Sequence, residues 1–272
     1  MDSSEGLVIE NLSVRFAGKD GDVEAVRNVS LTVPLGSRLG VVGESGSGKS
    51  TLLRAVLRLV RRPGIVEAEA IRVGGRDLPT LSAKEFRAMC GSEVAMIFQD
   101  PVNALNPAFT IRDQFERNFR LHGTKLDRRA REARILSALG SVGIDGRGKL
   151  DRYPFEFSQG QLQRIMIALA CVSPRLKVLL ADEPTSSLDV TTQAQVVDLL
   201  RDLQEQLGFA LVLVTHNLPV VAELCDHVMV MQKGDVVESR DVAGLFGHPE
   251  HPYTQQLLSA VQELPPMERG VA

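Results

Sequence analysis

Residues 39–53 read LGVVGESGSGKSTLL, and the rest of the chain is organised around them. The apolar run Leu39-Gly40-Val41-Val42 has the character of a buried strand and feeds directly into Gly43-Glu44-Ser45-Gly46-Ser47-Gly48-Lys49-Ser50. From Thr51 onward the apolar residues return at helical spacing, so the order is strand, glycine loop, helix. These residue types have a chemical reason. Three glycines let successive backbone N–H groups curl around a phosphate without side-chain obstruction, and the following helix points its positive end at the same anion. Lys49 reaches toward β- and γ-phosphates, and the Ser50 hydroxyl is placed to ligate a Mg²⁺ that bridges them. The whole loop from Gly43 to Thr51 is therefore expected to hold a nucleotide.

The 272 residues are 44% hydrophobic and 24% charged, the balance of an ordinary globular chain with a sizeable core. With 31 basic against 34 acidic residues the net charge is −3, so no overall basic field argues for nucleic acid as a partner. No apolar run reaches the roughly 18–20 residues of a membrane span, and the N-terminus MDSSEGLVIE lacks the features of a signal peptide. The chain is expected in the cytosol. Cys90, Cys171 and Cys225 are widely spaced and lie in or beside apolar stretches, which fits reduced buried thiols.

Around the loop, residues 7–33 alternate short β-like runs (7–9, 12–16 and 29–33) with a polar turn at 17–22, predicting an antiparallel β-layer beside the nucleotide strand. Phe16, in a chain poor in aromatics, is either a core side chain or a face on which an adenine ring stacks. Residues 61–64 break the first helix, 71–77 resemble a strand and turn, and a short helix is expected over 82–89. A strongly apolar strand, residues 94–98, stops at Gln99-Asp100-Pro101, and polar groups at such strand ends are where α/β proteins place ligand contacts. From about 102 to 173 the sequence turns charged and helix-forming, with helices expected over 112–121, 128–139 and 161–171. This reads as a helical insert, with Ser158 the N-cap of its last helix.

The core resumes with a buried strand at 177–181 that ends in Asp182-Glu183-Pro184. Asp182 is well placed to hold Mg²⁺ through water and Glu183 to accept a proton from an attacking water. An amphipathic helix over 190–207 leads to an apolar strand ending at Thr215-His216, and a hairpin through Lys233-Gly234 follows. Residues 239–272 read as a short helical tail that frays at Pro265-Pro266.

In this order the pieces resemble the nucleotide-binding subunit of an ABC transporter over essentially the whole chain. Residues 43–50 look like its Walker A loop, Gln99 like the Q-loop glutamine, and Phe157-Ser158-Gln159-Gly160-Gln161 like the signature. Residues 178–182 look like Walker B, Glu183 like the adjoining catalytic glutamate, Asp189 like the D-loop aspartate, and His216 like the switch histidine. Phe16 matches the position of the adenine-stacking aromatic. The wording IFQDPVNALNPAFTIRDQ, ADEPTSSLDVTTQAQ and GHPEHPYTQQLLSAV resembles the ATPases of dipeptide, oligopeptide and nickel importers.

The resemblance implies a P-loop NTPase core of α/β class spanning residues 1–238, with an antiparallel β-layer, a helical subdomain at about 102–173, and residues 239–272 as a C-terminal extension. It implies ATP and Mg²⁺ as ligands, with Ser50, Gln99 and, through water, Asp182 around the metal. Catalysis falls to Glu183, His216, Gln99 and Lys49, while Ser158, Gln159, Gly160 and Gln161 complete the nucleotide site of a partner ATPase. The implied partners are that second ATPase, two transmembrane permeases and an extracytoplasmic solute-binding protein for peptides, nickel or metal chelates. The implied place is the cytoplasmic face of a bacterial inner membrane, as a peripheral subunit. A similar ATPase also serves the soluble carbon–phosphorus lyase system; the LNP wording around Asn106 favours the importer. Two departures stand out: Gln159 replaces the middle glycine of the usual signature, and no cysteine follows Cys225, so no iron–sulfur cluster is expected. His248 and His251 are read as part of a structural loop.

Overall fold

The computed structural model describes residues 5–18, 21–123 and 126–262. In chain order the elements are β1 (Glu5–Phe16), β2 (Val23–Pro34), β3 (Arg38–Val42), α1 (Lys49–Val56), β4 (Gly64–Glu67), β5 (Ala70–Val73), β6 (Arg76–Asp77) and α2 (Ala83–Met89). Then come β7 (Val94–Ile97), α3 (Pro101–Ala104), α4 (Ile111–Leu121), α5 (Arg128–Ser141), α6 (Gln159–Cys171), β8 (Val178–Asp182), α7 (Val190–Leu207) and β9 (Ala210–Val214). The described chain closes with α8 (Leu218–Leu224), β10 (His227–Gln232), β11 (Asp235–Asp241), α9 (Val242–Gly247) and α10 (Pro252–Gln262). None of these helices is long and apolar enough to cross a membrane.

Six strands form the central sheet in the order β11-β10-β3-β9-β8-β7. Every pairing from β10 to β7 is parallel, and β11 adds an antiparallel edge. The continuous apolar runs of β8 and β9 follow from burial on both faces. Leu179, Ala181, Leu211 and Leu213 point into one core, which holds the helical insert and the C-terminal helices. Their alternates Val178, Leu180, Val212 and Val214 point into the other, shared with α1 and the antiparallel layer. Period-two alternation thus divides one strand between two hydrophobic cores.

The antiparallel layer has the order β2-β1-β5-β6, with β4 also paired to β1. The short β-like runs expected at the N-terminus merge into two strands of 12 residues. Asn11 and Asn28 interrupt the pattern because they take left-handed bulges, φ 51° and 48°, which asparagine tolerates better than most residues. Each bulged amide donates across the pair to a serine hydroxyl, Asn11 to Ser30 and Asn28 to Ser13, both at 2.9 Å. The short strand β4 was not anticipated.

The insert is helical as expected. Thr110 caps α4 with a reciprocal pair to Asp113, and Asp127 caps α5. Helix α7 spans the expected residues 190–207 and stops at Gly208 in the left-handed region, φ 70°. Of the cysteines, Cys225 is buried and Cys90 and Cys171 are half-buried. Burial pushes the Cys171 and Cys225 thiols up to about 12, so they are inert as nucleophiles.

The boundary drawn at residue 238 does not coincide with a structural one. Strand β11 runs on to Asp241, and the segment beyond it packs back onto the core through Leu245, Tyr253 and Leu258. Glu238 pins that segment by accepting hydrogen bonds from the amides of Glu250 (3.1 Å) and His251 (3.0 Å). The ring of His251 serves the same loop, accepting at Nδ1 from the Tyr253 amide. Pro265 and Pro266 lie outside the described residues. Burial pushes the Glu238 carboxyl up, yet the Thr254 hydroxyl, the two amides and nearby Arg240 outweigh it and leave it below the ordinary carboxylate range. A depressed folded-state pKa makes this contribution complete above about pH 4.5 and removes it as pH falls through the folded value. Chemical denaturation should therefore find Glu238→Gln less stable than wild type by about 1–3 kcal/mol at pH 7, with the gap closing toward pH 3.

Candidate active site

The parallel strands bring the candidate residues to one edge. Strands β3, β9, β8 and β7 are neighbours running the same way, so Gly43, His216, Glu183 and Gln99 all follow carboxyl ends on the same side of the sheet. There a cleft of about 390 Å³ is lined by Ala25, Ser45, Gly46, Gly48, Lys49, Ser50, Thr51, Gln99, Glu183 and His216.

The glycines shape this cleft. Gly43 and Gly48 have φ of 149° and 105°, and a Cβ on either would stand 2.1 Å from a carbonyl oxygen, that of Met231 or Ala25. Gly46 (φ 81°) meets nothing within 4 Å and is required for its backbone alone. Gly48 begins α1 without a side-chain cap, so no side chain accepts from the first-turn N–H groups.

Lys49 is 5% exposed, and its Nζ donates to the carbonyls of Gly43 (2.8 Å) and Glu44 (2.7 Å), with the Ser47 hydroxyl at 3.4 Å. Burial lowers its pKa, and the carboxylates of Glu183, Asp182 and Glu44 partly offset that. The Ser50 hydroxyl donates to Asp182 Oδ1 at 2.6 Å. Asp182 is 3% exposed; burial raises its pKa, against the opposing pull of the Ser50 bond and of Arg54, 3.9 Å away. Ser50, Asp182 and the Gln99 amide oxygen are hard oxygen donors of the kind Mg²⁺ takes, usually alongside phosphates and water.

Glu183 is the hub of the opposite wall. Gln99 Nε2 donates to its Oε2 at 3.1 Å, and His216 Nδ1 lies 3.3 Å from its Oε1. Its backbone is left-handed, φ 47°, a conformation costing about 1–2 kcal/mol for a side chain of this kind. A 2.8 Å bond from its amide to the Val214 carbonyl holds it there, tying β8 to β9 at the base of the cleft.

Other expected site residues sit elsewhere. Phe16 is half-buried at the end of β1 and packs toward Gly64, outside the cleft lining. Ser158 caps α6 as expected: the Gln161 amide donates to its hydroxyl, and its own amide donates to Gln161 Oε1. Gly160 faces Thr192 of α7, whose cap is Asp189. Signature and D-loop residues thus form a neighbouring surface, with Ser158, Gln159 and Asp189 exposed, and none of them lines the cleft. Three residues not anticipated for the site also bear on it: Ala25 through its carbonyl, Arg54 beside Asp182, and Tyr253, whose hydroxyl accepts from the Glu44 amide at 2.9 Å. A carbonyl contact leaves no trace in residue type, whereas the HPYT wording around Tyr253 was visible but read only as a family mark.

Comparison with known proteins settles the family. Residues 26–186 match the family described as ABC transporter. This chain belongs to the ABC transporter family. The dipeptide transport ATP-binding protein DppD of Escherichia coli (strain K12) is 46% identical over 260 residues, covering 94% of this chain and 78% of the relative. The glutathione import ATP-binding protein GsiA of Pectobacterium atrosepticum is 43% identical over 263 residues, which are 94% of this chain but 42% of that longer protein. Among solved structures, a dimeric ATP-binding cassette in a post-hydrolysis state with ADP and phosphate superposes with a TM-score of 0.75 at 25% identity, covering 87% of this chain and 98% of that one. CbiO1 of Clostridium perfringens, part of an ABC transporter complex, gives 0.73 at 26% identity, covering 90% and 92%. The ABC ATPase architecture expected from the sequence is the one found.

The two kinds of glycine should respond differently. Gly48→Ala must displace the Ala25 carbonyl and is expected to abolish ATP binding, whereas Gly46→Ala meets open space and should cost only the strain of its φ, about 1–2 kcal/mol of stability. Binding of a fluorescent ATP analogue, with melting of both variants, checks the contrast.

Proposed function

We propose that this chain is the ATP-hydrolysing subunit of a bacterial peptide importer, acting at the cytoplasmic face of the inner membrane with a second ATPase subunit, two permeases and an extracytoplasmic solute-binding protein. The observation that carries the ATPase reading is the convergence of Lys49, Ser50, Gln99, Glu183 and His216 on one glycine-walled cleft. The peptide cargo is preferred over nickel or a metal chelate because the relatives above are named for dipeptides and glutathione.

In this reading the first-turn amides of α1 and the ammonium of Lys49 bind the phosphates and oppose the charge that grows as the γ-phosphoryl group transfers. Ser50, Gln99 and, through water, Asp182 would hold Mg²⁺, which would supply positive charge to oppose the negative charge growing on the phosphates. Glu183 orients the attacking water and takes its proton, and His216, two residues beyond β9, contacts the γ-phosphate. Phe16, half-buried at the end of β1, offers a ring for the adenine. Because Ser158, Gln159, Gly160 and Gln161 lie outside the cleft of their own chain, they are assigned to the nucleotide of the partner subunit, with Asp189 at the same junction. Hydrolysis then requires the two subunits to close.

Gln99 links the cleft to the insert. Next to it an apolar groove of about 270 Å³ runs between sheet and insert, lined by Leu57, Leu59, Met96, Phe98, Leu105 and Met166. Leu59 and Phe98 are 44% and 40% exposed, and this groove is assigned to a permease segment. Closing of the cleft would shift Gln99 and with it the groove.

Two experiments test the proposal. Glu183→Gln should keep ATP affinity within a few-fold while turnover falls by about 10²-fold or more, the usual worth of a general base; retention of a tenth of the rate would reject its role. Purification of the tagged chain from gently solubilised membranes should bring down two multi-span permeases. Recovery only in a soluble assembly would overturn the transport assignment and leave the ATP chemistry standing.

A further inference from the structure

The C-terminal segment reaches the nucleotide loop at one point. The peptide unit between Gly43 and Glu44 is gripped on both sides: its carbonyl accepts from Lys49 Nζ at 2.8 Å, and its N–H donates to the Tyr253 hydroxyl at 2.9 Å. Tyr253 is 6% exposed, and its helix also lines a second hollow of about 270 Å³ with Gly43, Glu44, His216, Leu218, Gln256 and Leu257. The tyrosine is itself held in place, since the loop before it hangs from Glu238 and Arg240 of β11. A rigid hydroxyl therefore meets a loop whose own glycines leave its backbone free to turn.

We infer that Tyr253 is a positioning residue for ATP binding: by holding the Glu44 amide it fixes the Gly43–Glu44 peptide plane, and with it the carbonyl that orients Lys49. The chain of hydroxyl, peptide and ammonium is continuous, and each bond polarises the next in the same sense. Loss of the hydroxyl leaves a part-buried N–H without its partner, and the cheapest relief is rotation of that peptide. Rotation carries the Gly43 carbonyl away from Lys49 and unsettles the cradle before any phosphate arrives. The C-terminal segment is thus a working part of the nucleotide site. Tyr253 does not line the nucleotide cleft, so its effect falls on affinity and leaves the chemical step alone.

The inference rests on the reading of Lys49 as the phosphate-binding lysine, so the test carries Lys49→Ala beside Tyr253→Phe in the full chain. The Kd of N-methylanthraniloyl-ATP is measured on folded protein, together with melting of the nucleotide-free state and hydrogen exchange at the Glu44 amide. Tyr253→Phe should raise the Kd about 3- to 30-fold, speed Glu44 exchange, and leave the saturated ATPase rate of the assembled transporter within about two-fold. A tyrosine that served stability alone would lower the melting temperature and leave the Kd unchanged, which overturns the inference. Retained binding in Lys49→Ala overturns instead the reading of the lysine. Should Tyr253→Phe yield no folded protein, Glu238→Gln loosens the same segment from its far side. Faster Glu44 exchange in that variant supports the inference, and unchanged exchange rejects it.

Discussion

Everything at the catalytic edge depends on the parallel hydrogen-bond ladder that joins β3 to β9 and β9 to β8. Parallel pairing gives each strand the same direction, so chemistry written at the ends of three separate strands arrives at one place without any side-chain contact having to arrange it. The amide of Glu183 donating to the Val214 carbonyl is the last rung of that ladder. It holds the glutamate in a left-handed backbone conformation and presents its carboxylate to Gln99 on one side and His216 on the other. Without the rung the strain would relax and the hub would turn away.

Burial supplies the second layer of control. Lys49 and Asp182 are charged groups taken almost wholly out of water, and each has its pKa shifted toward the neutral form. Neither is left alone: the lysine is folded onto loop carbonyls and the aspartate onto the Ser50 hydroxyl. In the proposed reading, phosphates and a cation would replace these makeshift partners with stronger ones in a region of low dielectric.

Much of this was legible in the chain because it is local. A strand, three glycines, a lysine and a helix announce themselves within fifteen residues, and strand-end polar residues such as Gln99, Glu183 and His216 are conspicuous against apolar runs. The helical insert was equally plain from its charge and period. What escaped the sequence is what tertiary packing decides. The bulges at Asn11 and Asn28 made continuous strands look broken, and β4 is too short and too exposed to declare itself. The segment after Glu238 looked like a tail because its apolar residues, Leu245, Tyr253 and Leu258 among them, acquire meaning only once the core they complete is known. Ala25 contributes a carbonyl, which any residue carries. Phe16 fits either reading by residue type, and only the packing shows it half-buried against Gly64.

The sheet order also sets a schedule for synthesis. Arg38 in β3 lies opposite Leu211 in β9, and its other neighbour, Leu39, lies opposite His227 in β10. At about 5–20 residues per second, β3 leaves the ribosome roughly 10–30 s before either partner exists. Through that interval a mostly apolar strand, RLGVV, has neither of its two sheet neighbours. The nascent chain therefore carries an unpaired edge on both sides of β3 until the last third of the protein is made, the exposure that late, long-range parallel pairing always entails.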